Sequence, residues 1–146
     1  MTKQKIVIIG AGKIAYSLVP ALINSGFDVG SVISRKQSSA GLLSKKFSIR
    51  HHSKFLNQIP DNINIFILTV PDGEIKKVAE KLSKLKRDFR KSICIHFSGV
   101  ENISALKSLQ KKGCTTGSLH IIRPFPSKSI VDLKNSPASI EAENKR

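Results

Sequence analysis

The chain has 146 residues, which is enough for one compact domain, since domains cluster at roughly 100–150 residues. Hydrophobic residues make up 40% of it and the mean hydropathy is -0.10, and no apolar run approaches the roughly 20 residues that a membrane-spanning helix needs. The composition therefore argues against a membrane protein and favours a cytoplasmic globular domain. Because 25 Lys and Arg residues outnumber 10 Asp and Glu residues, a polyanion such as nucleic acid is a partner to consider.

Short β-branched segments alternate with amphipathic segments, which predicts an α/β fold with a parallel sheet and helices on both faces. Lys5–Ile9 is a continuous apolar run, typical of a central strand buried on both sides. The predicted strands are 5–9, 29–34, 49–51, 63–70, 92–97 and 115–120. The predicted helices are 13–24, a segment within 35–46, one with Asp72 as its N-cap, and 103–112. The expected fold is thus a doubly wound, mostly parallel sheet of six strands; residues 138–142 have some strand character but are not counted among them.

A glycine motif follows the first predicted strand. Gly10–Ala15 reads G-x-G-x-x-A and lies between a strand and a helix, the context that gives this motif its meaning. The first glycine permits a tight turn, Gly12 lets the backbone approach a pyrophosphate, and Ala15 lets the helix pack closely on the strand. Free N–H groups at the helix start attract the same anion. We therefore expect a Rossmann dinucleotide-binding turn, with these cofactor contacts: Gly10, Gly12, Lys13 and Ile14.

The end of the second predicted strand bears on the choice between NAD and NADP. An acidic residue at this place holds the ribose 2′-hydroxyl in NAD binders, whereas this chain has Ser34, Arg35 and Lys36 in sequence. Arg35 offers a fork of donors to a 2′-phosphate, with the Ser34 hydroxyl beside it. We therefore expect NADP as cofactor, and NAD less so. The alternative, that Arg35 is an ordinary surface charge in a basic protein, stays open at this point.

The fourth predicted strand ends at the edge of the sheet where open α/β folds bind ligands. We expect Thr69, Val70 and Pro71 to contact the cofactor there through their backbone. No metal site is predicted, because Cys94 and Cys114 lie in separate apolar segments without a CxxC partner or a histidine at ligand spacing. They are interpreted as reduced, buried thiols.

Two histidines end the fifth and sixth predicted strands at the same edge of the sheet. His96 begins the segment His-Phe-Ser-Gly, and His120 ends the segment Gly-Ser-Leu-His. A histidine there can donate or accept a proton near neutral pH. The candidate catalytic residues are therefore His96, Ser98 and His120, with a structural role for each histidine as the alternative.

Taken together, the motifs resemble the N-terminal half of Rossmann-type oxidoreductases that carry a C-terminal helical domain, relatives of pyrroline-5-carboxylate reductase. The resemblance implies NADP-dependent oxidoreduction of a small substrate, with a homodimer formed through the helical domain. It does not identify the substrate, which we expect to be a carbonyl or imine. It weakens after His120, where family members continue with Pro-Leu and this chain has Ile121-Ile122. The predicted organisation is an NAD(P)-binding domain over 1–122, then 123–146 as a C-terminal extension or the start of a missing helical domain. The matching segments are Ile6–Gly12, Ser34-Arg35, Val70–Asp72, His96–Gly99 and Gly117–His120.

Two other functions fit the sequence less well. A non-catalytic, regulatory dinucleotide-binding module is consistent with the missing second domain and with the lack of an obvious catalytic lysine. A nucleic-acid-binding protein is consistent with the net charge of +15, but the chain has one Tyr and no Trp, and its basic residues are spread over many segments instead of being grouped with stacking aromatics.

Overall fold

A computed structural model gives the fold and describes residues 4–143; residues 144–146 of the predicted extension lie outside the described residues. The strands are β1 Lys5–Ile9, β2 Asp28–Ile33, β3 His51–Ser53, β4 Ile65–Leu68, β5 Ile93–His96, β6 Thr115–Ile121 and β7 Ala138–Ala142. The helices are α1 Lys13–Asn24, α2 Gln37–Lys46, α3 Ile75–Ser83 and α4 Lys107–Gln110, with short 3₁₀ turns at Leu56–Gln58, Asp72–Glu74 and Ile103–Leu106.

The seven strands form one sheet in the order β3-β2-β1-β4-β5-β6-β7. The first six are parallel and β7 is antiparallel to β6. The order of the first six is the one of the doubly wound Rossmann fold, whose strand order reverses between β1 and β4. The predicted α/β class and the helices on both faces are confirmed.

The predicted number of strands is wrong: within the described residues the sheet has seven, not six. The additional strand, β7, pairs along its length with β6, from Gly117 opposite Ala142 to Ile121 opposite Ala138. All five of its residues are exposed. A strand with no buried face has no alternating hydrophobic pattern, which explains why the sequence signal at 138–142 was weak.

Three predicted boundaries also need correction. The third strand lies at 51–53 instead of 49–51. The predicted helix over 103–112 is a 3₁₀ turn followed by the four-residue helix α4. Asp72 does not cap a helix with its side chain; it opens a 3₁₀ turn that runs into α3.

Two hydrophobic clusters pack against opposite faces of the sheet. One joins alternate residues of β1, such as Val7 and Ile9, to α3 and α4, and the other joins Ile6 and Ile8 to α1 and α2. Such division of successive residues between two faces follows from the two-residue period of a strand. It explains why Lys5–Ile9 reads as an unbroken apolar run.

The two cysteines lie in the hydrophobic cluster that α3 and α4 cover. Both Cys94 and Cys114 are buried and unbonded to each other. Burial raises the pKa of the Cys94 thiol well above its usual range, so the thiol stays protonated and is a poor nucleophile or metal ligand.

After β6 the chain crosses back over α1 before returning as β7. The Val131 N–H donates to the buried Ser17 hydroxyl of α1 at 2.9 Å. Leu133 packs on the hydrophobic cluster of that face, and the Arg123 guanidinium donates to the Asp132 carbonyl at 2.7 Å. We call residues 122–137 the crossover segment. It places Phe125 at the carboxyl edge of the sheet.

Candidate cofactor site

A cavity of about 810 Å³ opens at the carboxyl ends of β1, β2 and β4. It lies where the strand order reverses, the usual ligand site of open α/β sheets, and its volume is within the range of pockets for small ligands and cofactors. The structure brings all the residues predicted to contact a cofactor into its wall: Gly10, Gly12, Lys13, Ile14, Ser34, Arg35, Thr69, Val70 and Pro71.

Backbone hydrogen bonds join the three strand ends below this cavity. The Gly10 N–H donates to the Ile33 carbonyl at 2.8 Å, and the Thr69 N–H donates to the Ile9 carbonyl at 2.8 Å. The Thr69 hydroxyl donates to the Gly10 carbonyl at 2.7 Å. The Thr69 side chain is thus used to hold the glycine turn in place.

The two glycines of the turn differ in what their neighbours allow. Gly10 has a φ of +109°, and a Cβ there would lie 2.6 Å from the Thr69 carbonyl oxygen. The fold itself therefore requires glycine at this position. Gly12 has an extended backbone with a φ of −90°, and a Cβ there would meet nothing within 4 Å. The protein's own packing gives no reason for glycine at residue 12, but a ligand seated on the turn would.

The N-terminus of α1 faces the same space. Its N-cap is Gly12, which has no side chain to satisfy the first N–H groups, and the first turn contains no acidic residue. The N–H groups that begin a helix have no partner within it, and the helix dipole adds partial positive charge at this end. Lys13, the first residue of α1, is exposed at the rim. The turn therefore suits an anion such as a diphosphate.

One end of the cavity is cationic. Arg35 and Lys36 line it from the loop after β2, and Lys54 lines it from the end of β3. The Ser34 and Ser39 hydroxyls lie on the same wall. Sequence reasoning missed Lys54 because the third strand was expected two residues earlier, which left Lys54 in a loop away from the sheet edge.

Apolar side chains line the rest of the cavity. Leu56 and Val78 contribute on the side of α3, and Phe97 and Phe125 contribute from the loop after β5 and from the crossover segment. Flat apolar walls of this kind accommodate aromatic rings. Sequence reasoning missed these four for two reasons. Leu56, Phe97 and Phe125 lie outside the long periodic elements, and Val78 belongs to the apolar face of α3, which the pattern assigns to the core.

His96, a predicted catalytic residue, is fully buried. Its Nδ1 accepts a hydrogen bond from the Ser98 N–H at 3.1 Å, so the proton of the neutral ring is on Nε2, which donates to the Asn102 carbonyl at 3.0 Å. Both ring nitrogens are therefore engaged within the loop 97–102. This geometry favours a structural role over proton transfer to a substrate.

Ser98 is also engaged within this loop. Its hydroxyl oxygen accepts hydrogen bonds from the N–H groups of Val100 at 3.0 Å and Glu101 at 2.9 Å, and the residue is 5% exposed. His120 differs, since it is exposed at the end of β6. Its imidazole packs on Gly99 so closely that a Cβ on Gly99 would lie 2.6 Å from the ring. The three predicted residues are neighbours, but none lines the cavity; Phe97, between His96 and Ser98, does.

Two negative findings concern the described residues alone. Within 4–143, no three His, Cys, Asp or Glu side chains are grouped as metal ligands. In the same part of the chain, no helix is long and apolar enough to cross a bilayer.

Comparison with known proteins identifies the family. Residues 1–121 match the Rossmann-like domain family, and the chain belongs to it. A search of curated proteins found no match.

Solved structures of oxidoreductases have the same fold. A putative NADP oxidoreductase from Bacteroides fragilis is 24% identical with a TM-score of 0.82, covering 98% of this chain and 53% of that one. Pyrroline-5-carboxylate reductase from Coxiella burnetii is 20% identical with a TM-score of 0.76, covering 98% and 50%. Prephenate dehydrogenase from A. aeolicus, solved with NAD+, is 16% identical with a TM-score of 0.77, covering 96% and 51%. The predicted likeness to the Rossmann domains of such oxidoreductases is confirmed at the level of the fold, and the chain spans about half the length of these proteins.

Proposed function

We propose that this chain binds a nicotinamide dinucleotide in the cavity at the carboxyl edge, with NADP preferred over NAD. Gly12 is the observation that carries the proposal. The space above it is open, the backbone would allow a side chain, and the adjacent helix start presents N–H groups without a cap. A diphosphate seated there accounts for glycine at residue 12.

The cavity wall fits the rest of such a cofactor. Gly10, Gly12, Lys13 and Ile14 would hold the diphosphate, and the backbone of Thr69, Val70 and Pro71 would border it. Ser34 and Arg35 would bind the 2′-phosphate through charge-assisted hydrogen bonds. The apolar walls formed by Leu56 with Val78 and by Phe97 with Phe125 suit the two aromatic rings.

We further propose that the whole protein is an oxidoreductase that reduces a small carbonyl or imine. A bound nicotinamide supplies hydride transfer. His120 is the stronger candidate for a direct role, because it is exposed and near the loop that presents Phe97. His96 and Ser98 would act through that loop, as positioning residues. Residues 1–122 would form the cofactor domain, and 123–146 would lead to a helical domain that completes the substrate site and a homodimer.

The proposal is tested by titrating the purified chain with NADPH and NADH. Since the chain has no Trp, binding is best followed by calorimetry or by the fluorescence of the reduced cofactor itself. We expect both cofactors to bind, and NADPH to bind at least tenfold more tightly at low salt. Absence of binding by either would refute the proposal, and a preference for NADH would refute its NADP part.

A non-catalytic binding module is the second candidate. It is favoured by one observation: none of the three predicted catalytic side chains lines the cavity. A panel of small carbonyl and imine substrates with NADPH separates the two functions. We expect the 146-residue chain to bind NADPH and to turn over far below the ordinary range of about 1–1000 per second, because a single open crevice does not exclude water from the reacting face.

A further inference from the structure

Lys54 stands at the cationic end of the cavity but comes from a different strand than Arg35. It follows β3 directly. The Ser34 N–H donates to the Ser53 carbonyl at 3.1 Å, which continues the β2–β3 pairing beyond its last strand residues. This bond holds the residue before Lys54 next to the residue before Arg35. The two side chains consequently line the same cavity wall.

The backbone around Lys54 is fixed on both sides. Ser53 is 2% exposed; its hydroxyl oxygen accepts from the Phe55 N–H at 3.0 Å and its hydroxyl donates to the Gln58 side chain. Lys54 is exposed, and its ammonium lies 5.1 Å from the centroid of the exposed Phe55 ring, a weak contact at such a site. A backbone held by these hydrogen bonds, with an exposed ammonium, suits a residue that binds an anion at the cavity wall.

The cations at this end of the cavity form no ion pair, although Asp72 and Glu74 also line the cavity, on the side of α3. Among residues 4–143 the ion pairs within 4.0 Å are Lys77 with Glu74 and Arg90 with Asp88, so Arg35, Lys36 and Lys54 have no carboxylate partner there. Three cations with two serine hydroxyls match a phosphate monoester, which carries about −1.5 to −2 charges near pH 7. Together they offer more positive charge and more hydrogen-bond donors than Arg35 alone.

We propose that Lys54 is a specificity-determining residue that binds the cofactor's 2′-phosphate together with Arg35. Selection of NADP is then shared between the loop after β2 and the end of β3. A neutral 2′-hydroxyl gives Lys54 little to bind, so the residue discriminates between the two cofactors without contributing to NAD binding. This inference rests on the proposed function.

The test uses the full chain and four probes: NADPH, NADH, 2′,5′-ADP and 5′-ADP, titrated by calorimetry at low salt. Lys54→Ala should weaken NADPH and 2′,5′-ADP about five- to twentyfold and change NADH and 5′-ADP less than twofold. Lys45→Ala is the matched control, since Lys45 is also exposed, lies in the last turn of α2 and is not part of the cavity wall. It should change none of the four affinities by more than twofold, which separates local binding from a change in net charge.

A double variant sharpens the result. If Lys54 and Arg35 bind the same phosphate, the losses from Lys54→Ala and Arg35→Ala should not add in the double variant. Equal loss for NADPH and NADH, or unchanged NADPH affinity, would contradict the role of Lys54 while dinucleotide binding stands. Failure of the unaltered chain to bind any of the four probes would contradict both this inference and the proposed function.

Discussion

The carboxyl edge of the sheet has two halves that differ in how they use their residues. In the half formed by β1, β2 and β4, backbone hydrogen bonds shape the turn, and every residue expected to contact a cofactor lines one cavity. In the half formed by β5 and β6, the candidate catalytic side chains mostly bond to the protein itself. His96 and Ser98 form hydrogen bonds within their own loop, and of the three candidates only His120 is exposed.

The difference shows what each half needs for function. A diphosphate is bound by backbone N–H groups and a helix start, which one domain can supply alone. Proton transfer to a substrate needs a second wall that positions the substrate and excludes water. The first half therefore has, within this chain, the groups that the proposed diphosphate would need, whereas the second half presents Phe97 to the cavity and leaves His120 exposed.

The largest expected effect is on stability, at Gly10 in the first half. Gly10→Ala forces a side chain into a left-handed backbone and against the Thr69 carbonyl, and should lower the free energy of unfolding by at least about 3 kcal/mol. Urea unfolding measures this loss. Gly26→Ala is the control, because Gly26 also has a positive φ, +87°, but nothing within 4 Å of the added Cβ; it should cost about 1 kcal/mol. Equal losses would show that Thr69 does not constrain Gly10.

The next largest effect on stability is expected at His96, in the second half. His96→Ala leaves the Ser98 N–H without its partner, leaves the Asn102 carbonyl with only the Ala105 N–H at 3.3 Å, and removes a buried ring. We therefore expect a loss of about 2–3 kcal/mol in the free energy of unfolding. NADPH affinity should change less than threefold, because the residues proposed to bind the diphosphate follow β1 and β4 and not β5. His96→Asn, which can keep one hydrogen bond, should lose less. A His96→Ala chain of undiminished stability would restore His96 as a catalytic candidate.

Arg35, in the first half, is expected to affect the binding of NADPH more than that of NADH. Arg35→Ala should weaken NADPH by roughly ten- to a hundredfold and NADH far less, since only NADPH carries the 2′-phosphate. Titration of both cofactors at two salt concentrations measures the selectivity and its electrostatic origin. Equal loss for both cofactors would show that Arg35 is an ordinary surface charge.

The smallest effect is expected at the contact between Gly99 and the His120 ring. Gly99→Ala should cost under about 1 kcal/mol, because the exposed imidazole can rotate away from the added methyl, and less still in a His120→Ala background, where no ring remains. Thermal unfolding of the four members of this cycle gives the coupling between the two residues. Additive losses would mean that the ring is not held against Gly99.

The sequence predicted the first half well because its signals are local. The glycine turn with the helix start after it, and the charged pair at the end of the second strand, are each defined by a few adjacent residues. The second half depends on contacts that no local pattern shows: whether His96 faces solvent is decided by Asn102 and by the register of β5. The exposed strand β7 and the displaced β3 were misjudged for a related reason, since neither has a long buried face to give a periodic pattern.

The central claim, that a dinucleotide diphosphate lies over the turn after β1, is tested most directly at Gly12. Gly12→Val places a side chain where the structure has open space, so it should abolish NADPH binding, a loss of more than about a hundredfold. The midpoint of thermal unfolding should fall by no more than about 5 °C, the cost of valine in place of glycine at the N-cap of α1. NADPH calorimetry and thermal unfolding on the same sample give both readouts. Unchanged NADPH affinity in a folded Gly12→Val chain would contradict the account.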